Sequence, residues 1–475
     1  MILRLSRLLA LLLLAALALA ACAPGGSPAP TVTLVLPAAS GTRMPIPTSS
    51  SSPTPPPTAT FTPLPVIGVD PAKLQGTNIQ VWQAFSGPAS GLFDSQVALF
   101  NTSNEWGIVV TSAGYADYTA LFEAVNSALD SGQPPDMLAA LPEQTLTWDA
   151  RGAVVDLKPY LSDPQWGLSQ ADIADIPAVF LAQDDLAGRQ LGLPAQRSAR
   201  FLFYNQTWAH ELGFANPPTT AEEFRQQACA ANASFLKDRD TTNDGYGGWI
   251  VDPNWQTDYS WLLAFGGGLV DGSAYTVRTD PNLAALQFIK GLFDKHCAWL
   301  STEPTPFDSF ARRSALFINA DLGALPDQIE AMTRLKNPDG WTLLPFPGTH
   351  AGVEVTYGPS YSVLKSTPEK QLAAWLFSRW MLSQQNQARW VETTGLFPLR
   401  NSVLDIIGPY RSAFPQWDAA LASLSLAQGV PQLASWRKVR YVIEDGVNVL
   451  FQENLSVDKL PELLTEMDAT VQELK

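Results

Sequence analysis

The sequence predicts an α/β body in two lobes, and three observations lead there. Segments with strand-like alternation and segments with helix-like apolar stripes follow one another from Gly76 to the C-terminus, which is the pattern of α/β architecture. The chain has 475 residues, more than a single core fills before it stops growing at about 250–300. Its composition, 46% hydrophobic and 16% charged, is that of an ordinary globular protein. The charge excludes some partners. Thirty Lys and Arg against 45 Asp and Glu give −15, the wrong sign for nucleic-acid phosphates or for attraction to anionic lipid.

The first strand is Asn78-Ile-Gln-Val-Trp82, alternating and running into Ala84-Phe-Ser-Gly87. A helix is expected near Phe93 to Asn101, then a second strand at Ile108 to Val110. Asp117 caps a helix whose apolar residues are Leu121, Phe122, Val125 and Leu129, ending at Ser131-Gly132. Pro135 to Ala140 is a third strand, and Leu141 to Gln144 is a loop at its carboxyl end, where ligands sit in open parallel sheets. Thr220-Ala-Glu-Glu223 is a capping box. Thr367 and Pro368 open a helix bearing Leu372, Trp375, Leu376 and Trp380, and Leu460, Leu463, Leu464, Met467, Val471 and Leu474 mark the last one.

The N-terminus reads as an address. Arg4 and Arg7 precede an apolar stretch, Leu8 to Ala21, short for the ~20 residues of a membrane span. Leu19-Ala-Ala-Cys22 resembles the lipobox of bacterial lipoproteins, in which the chain is cut before a Cys that carries diacylglycerol. Residues 1–21 are thus expected to be a signal peptide and Cys22 the lipidated first residue, with ordinary secretion and a free thiol as the alternative. Residues 22–75 form a tether. Twelve prolines lie between 23 and 70 among many Ser and Thr, so the segment lacks the apolar surface to fold. It would reach ~150 Å as a polyproline chain and ~40 Å as a coil.

With Cys22 lipidated, Cys229 and Cys297 remain as two thiols in an exported chain, and they are expected to pair. Closing that loop would contribute ~4 kcal/mol in the chain-entropy model. The alternative is two separately buried free thiols. Three histidines and no Cys-x-x-Cys or His-Glu-x-x-His spacing give no metal site, and no cofactor is expected. Asp238 to Gly245 tempts a calcium reading, but position 6 from Asp238 is Asn243 and position 12 is Trp249, so a turn explains it better.

From Gly76 onward the chain resembles the extracellular solute-binding proteins of carbohydrate ABC transporters, the group that includes the maltose-binding and glycerol-phosphate-binding proteins. The segments that carry the resemblance occur in the family's order: Ile79-Gln-Val-Trp82, Ala128-Leu-Asp-Ser-Gly-Gln-Pro-Pro-Asp136, Gly192-Leu-Pro194 with Phe203-Tyr-Asn205, and Pro218-Thr-Thr-Ala-Glu-Glu-Phe224. Phe265-Gly-Gly-Gly268, Arg312-Arg-Ser-Ala-Leu-Phe-Ile-Asn319, Gly358-Pro-Ser-Tyr361, the helix around Trp375 and Gly395-Leu-Phe-Pro398 follow. The resemblance implies a two-lobed periplasmic-binding-protein-like fold with a hinge and an interlobe cleft. One lobe would hold 76–191 and 350–396, the other 192–349 and 397–475. It also implies a monomeric, extracytoplasmic receptor, not an enzyme, which traps a sugar or oligosaccharide and delivers it to permease subunits. A glycerol-phosphate or polyol solute, a sugar-sensing receptor and a lipid-anchored glycosidase are the competing readings.

The same resemblance nominates the ligand contacts. Trp82 and Phe85 end the first strand, Tyr118 opens the helix after Asp117, and Glu143 follows the third strand. Ser198, Asn319 and Asp321 occupy contact positions of the second lobe, Gly358 and Tyr361 match a loop where backbone approaches ligand, and Trp255 and Trp261 are plausible stacking rings. Leu396 stands where the glycerol-phosphate relatives have Tyr. That departure, with the acidic charge and no phosphate loop, favours a neutral saccharide.

Overall fold

A computed structural model describes residues 66–475 apart from 187, 350, 351 and 475. The signal segment, Cys22 and tether residues 23–65 lie outside the described residues. The body begins earlier than Gly76, because Val69 and Leu74 are already buried in the core. Asp163 fixes the entry of the chain: its Oδ2 accepts the Val66 and Ile67 N–H groups at 2.7 and 2.8 Å.

The first lobe starts with β1 (Asn78–Gln83), whose alternate residues Ile79, Val81 and Gln83 turn inward. Helix α1 (Gly87–Ser103) covers it with Phe93, Val97 and Phe100, spaced to share one helical face. Strand β2 (Val109–Gly114) runs parallel to β1. Helix α2 (Tyr118–Asp130) opens on Asp117, which accepts the Thr119 and Ala120 N–H groups. Strand β3 (Met137–Ala140) lies on the other side of β1 and is buried at every position, as expected of an apolar run in the middle of a sheet covered on both faces. Leu141 to Gln144 is not a loop. Pro142 starts α3 (Pro142–Ala150), and the Gln144 side chain caps it by accepting the Leu141 N–H.

The chain then runs through β4 (Leu193–Pro194) into β5 (Ser198–Asn205), the fully buried spine of the second sheet. Next come α4 (Ala221–Phe235), β6 (Trp249–Val251), α5 (Trp255–Ala264), α6 (Asp280–Asp294), β7 (Ala298–Leu300), β8 (Phe317–Asp321) and β9 (Trp341–Leu344). Strands β10 (Glu354–Tyr357) and β11 (Ser360–Val363) lead to α7 (Pro368–Met381), α8 (Gln384–Thr394), α9 (Pro415–Ala422), β12 (Ala427–Gly429), α10 (Trp436–Asn448) and α11 (Leu460–Glu473). The sheet orders are β2-β1-β3-β11-β4 and β7-β6-β8-β5-β10-β12, with β9 also on β5.

Strand membership places the crossings between lobes. β4 belongs to the first sheet and β5 to the second, while β10 belongs to the second and β11 to the first. The breaks expected at 191/192 and 349/350 therefore move C-terminally, to 195–197 and 358–359. Both crossings meet at Arg197, fully buried. Its Nη1 donates to the carbonyls of Gln196 at 2.8 Å and Pro359 at 2.7 Å, and its Nη2 to Asp184 at 2.9 Å and Ser360 Oγ at 2.9 Å. Phe397, on the chain's third passage, donates its N–H to the Arg197 carbonyl. Cys229 on α4 and Cys297 before β7 form a disulfide, with Cα atoms 4.4 Å apart.

Candidate functional site

Both sheets aim the carboxyl ends of parallel strands at the space between the lobes, the usual ligand position in open α/β sheets. From the first lobe come Phe85 after β1, Tyr118 after β2 and Leu141 to Glu143 after β3; from the second come Trp255 after β6 and Asp321 at the end of β8. They enclose two chambers. The larger, ≈ 630 Å³, is lined by Phe85, Gln196, Ser198, Asp321, Asp327 and Leu396. The smaller, ≈ 410 Å³, is lined by Glu143, Trp255, Gln256, Trp436, Arg440 and Tyr441. Tyr118, Leu141, Tyr357 and Gly358 line both, so the chambers meet at a waist. Each falls in the range of small-molecule pockets, ~300–1,000 Å³.

The waist depends on Gly358. Its φ is +151°, and a Cβ there would lie 2.3 Å from the Gln196 carbonyl oxygen, so the two crossing strands touch only because no side chain intervenes.

The smaller chamber is aromatic with one ion pair. Trp255 meets Tyr357 and Trp436 edge-on, with ring centres 5.7 and 5.5 Å apart. Glu143, 3% exposed, accepts from Arg440 Nη1 at 2.9 Å. The pair bridges the lobes, since Glu143 is on α3 and Arg440 on α10. Arg437, one turn earlier, lies 4.4 Å from the centre of the Phe122 ring on α2, a cation–π contact across the same gap. Burial holds the Glu143 carboxyl above the ordinary carboxylate range despite the opposing pull of Arg440. Tyr118 is likewise raised by burial and by the nearby Glu143 charge.

In the larger chamber Asp321 is held from behind. Arg200, 5% exposed, donates to Asp321 at 2.8 Å through Nη1, to Thr257 Oγ1 at 3.1 Å through Nε, and to Asp252 through Nη2. Tyr357 donates its hydroxyl to the same Asp321 oxygen. Burial, reinforced by the Asp321 charge, raises the Tyr357 hydroxyl far above its usual value. Arg200 thus sets the position of a carboxylate in one chamber and, through Tyr357, of a ring at the waist.

The structure brings Phe85, Tyr118, Glu143, Ser198, Trp255, Asp321 and Gly358 to the cleft. Four expected residues line neither chamber. Trp82 packs on Tyr115, with ring centres 5.2 Å apart. Trp261 has no exposed surface and sits among Phe224, Trp249 and Phe346 in the second lobe's core. Asn319 is buried and binds Trp249 Nε1 and Thr257 Oγ1. Tyr361 is a fully buried residue of β11. Gln196, Gln256, Tyr357, Trp436 and Arg440 were not expected. Trp436-Arg437-x-x-Arg440-Tyr441, two arginines and two rings on one helix of an acidic chain, was the available signal for the last of these.

The fold is that of a two-lobed α/β protein with a cavity of small-molecule size between its halves. The model of the family described as bacterial extracellular solute-binding protein matches residues 95–422, and the chain belongs to that family. A binding protein of Brucella abortus strain 2308 is 23% identical over 286 residues, which is 57% of this chain and 65% of the relative, so the match spans less than two thirds of that protein. The sugar-binding protein MalE of Xanthomonas citri superposes with a TM-score of 0.71 at 20% identity, covering 84% of this chain and 97% of that one. The cyclic α-maltosyl-1,6-maltose binding protein of Arthrobacter globiformis gives 0.68 at 17%, covering 83% and 98%. UgpB of Mycobacterium tuberculosis, in complex with glycerophosphocholine, gives 0.67 at 19%, covering 84% and 98%. All three are similar in fold. Among the described residues no helix is long and apolar enough to cross a membrane.

Proposed function

We propose that the protein is the extracytoplasmic receptor of a carbohydrate ABC importer, lipid-anchored at Cys22 through the segment that precedes Val66, which closes on a neutral saccharide and presents it to permease subunits. The observation that carries this reading is the makeup of the cleft. Aromatic rings and planar amides face a cavity in which Arg440 is already neutralised by Glu143 at 2.9 Å and Asp321 by Arg200 at 2.8 Å. Such a surface suits C–H faces and hydroxyls, and its hydrogen-bonding groups reject analogues that leave them unpaired. Glu143 and Asp321 are each tied to an arginine, which favours capture over the two free carboxylates a glycosidase needs.

A second reading has one observation behind it: Arg440 lines the aromatic chamber, and a phosphodiester could replace Glu143 as its partner. Titration by calorimetry with neutral saccharides and, separately, with glycerophosphodiesters decides between them. Heat with saccharides alone supports the proposal; heat with phosphodiesters alone replaces it with the second reading.

A further inference from the structure

The cleft holds buried polar atoms that have no hydrogen-bond partner among the described residues. In the larger chamber this is Gln196 Nε2, and in the smaller chamber Gln256 Oε1 and Arg440 Nε. Buried polar groups in folded proteins nearly always have a partner, because an unmet one carries its full desolvation penalty. Two of these atoms belong to amides whose side chains make no hydrogen bond among the described residues, Gln196 beside the crossing strands and Gln256 in the first turn of α5. They lie in different chambers, on either side of the waist formed by Tyr118, Tyr357 and Gly358.

We infer that Gln196 and Gln256 are specificity-determining residues that read opposite ends of one ligand, so that the solute must have at least two linked sugar units and pass through the waist. This rests on the saccharide reading proposed above. One ring fills one chamber and meets one amide; only a linked pair meets both. A second unit therefore adds hydrogen bonds at a site whose polar groups are otherwise unpaired, the situation in which discrimination is steepest.

The test uses the full chain and a series of glucose, maltose and maltotriose with their β-linked counterparts cellobiose and cellotriose. Wild-type protein should bind a di- or trisaccharide at least tenfold more tightly than glucose. Gln196→Met and Gln256→Met should each weaken that binding by about tenfold or more. Each substitution should leave the melting temperature of the unliganded protein no lower, since it replaces a half-buried amide, one atom of which lacks a partner among the described residues, with an apolar side chain of similar length. A structural role would move stability and affinity down together. The more conservative Gln196→Asn and Gln256→Asn serve if a Met variant fails to fold, with the same loss of affinity expected. Glucose bound as tightly as the longer sugars, or affinity lost in only one of the two positions, overturns the inference while leaving the receptor reading intact. No heat from any saccharide overturns both.

Discussion

Glu354 offers a test in which the sign and size of an effect follow from the structure. Its carboxyl is fully buried in β10. Oε2 lies 2.6 Å from Ser423 Oγ, and Oε1 has no partner among the described residues. Burial pushes this carboxyl from 4.5 up to about 8, against the smaller pull of the Ser423 hydrogen bond. The folded protein therefore keeps a proton that the unfolded chain releases above pH 4.5. The stability this group supplies is complete below that pH and is lost as pH rises through about 8. At ~1.4 kcal/mol per pH unit, the loss across that interval is on the order of 5 kcal/mol. Glu354→Gln keeps the shape and removes the titration. Urea unfolding of both proteins at intervals from pH 5 to 9 should show the variant gaining on the wild type steadily and then levelling off. A difference that stays constant with pH refutes the reasoning, because it means the carboxyl titrates alike in both states.

The two tryptophans expected as stacking rings should separate cleanly. Trp261→Ala, in the core, should lower stability by ~3–5 kcal/mol in chemical denaturation, whereas Trp255→Ala, which removes a partly buried ring edge-on to two others, should cost less stability, ~1–2 kcal/mol, and weaken saccharide binding about tenfold by calorimetry. Arg440→Met leaves Glu143 buried without its partner and should cost ~3–5 kcal/mol of thermal stability. Adding Glu143→Gln should recover part of that loss; a double variant no more stable than the single one speaks against the interlobe pair. Gly358→Ala should disturb the crossing strands, because its Cβ would fall 2.3 Å from the Gln196 carbonyl. Small-angle scattering should then show a weaker compaction on adding saccharide, and an unchanged response would contradict the role given to this glycine.

The parts of the fold that could be read from sequence were those set by local rules. The Asp117 and Thr220 caps and the stripes of α7 and α11 appear in the structure where spacing placed them. The Cys229–Cys297 disulfide followed from counting thiols in an exported chain. Less legible was anything set by strand order. The crossings are fixed by which sheet β4 and β10 join, a tertiary choice that two- and four-residue strands do not announce. The same limit governs the site. Phe85, Glu143 and Trp255 were reachable because they follow strands or open helices, while Trp261 stands on the same helix as Trp255 and faces the core. Arg440 enters the cleft from a helix near the C-terminus, and only folding brings it to Glu143. Arg200 resembles any strand arginine until its three partners are seen together.

The central claim is that the cleft captures a neutral saccharide between the lobes. It is tested most directly by calorimetric titration of the full chain with a panel of neutral oligosaccharides, alongside Trp255→Ala and Arg440→Met. The account predicts stoichiometric binding of one saccharide by the wild type, with affinity reduced in both variants. Binding that both variants leave untouched would place the ligand elsewhere and contradict it.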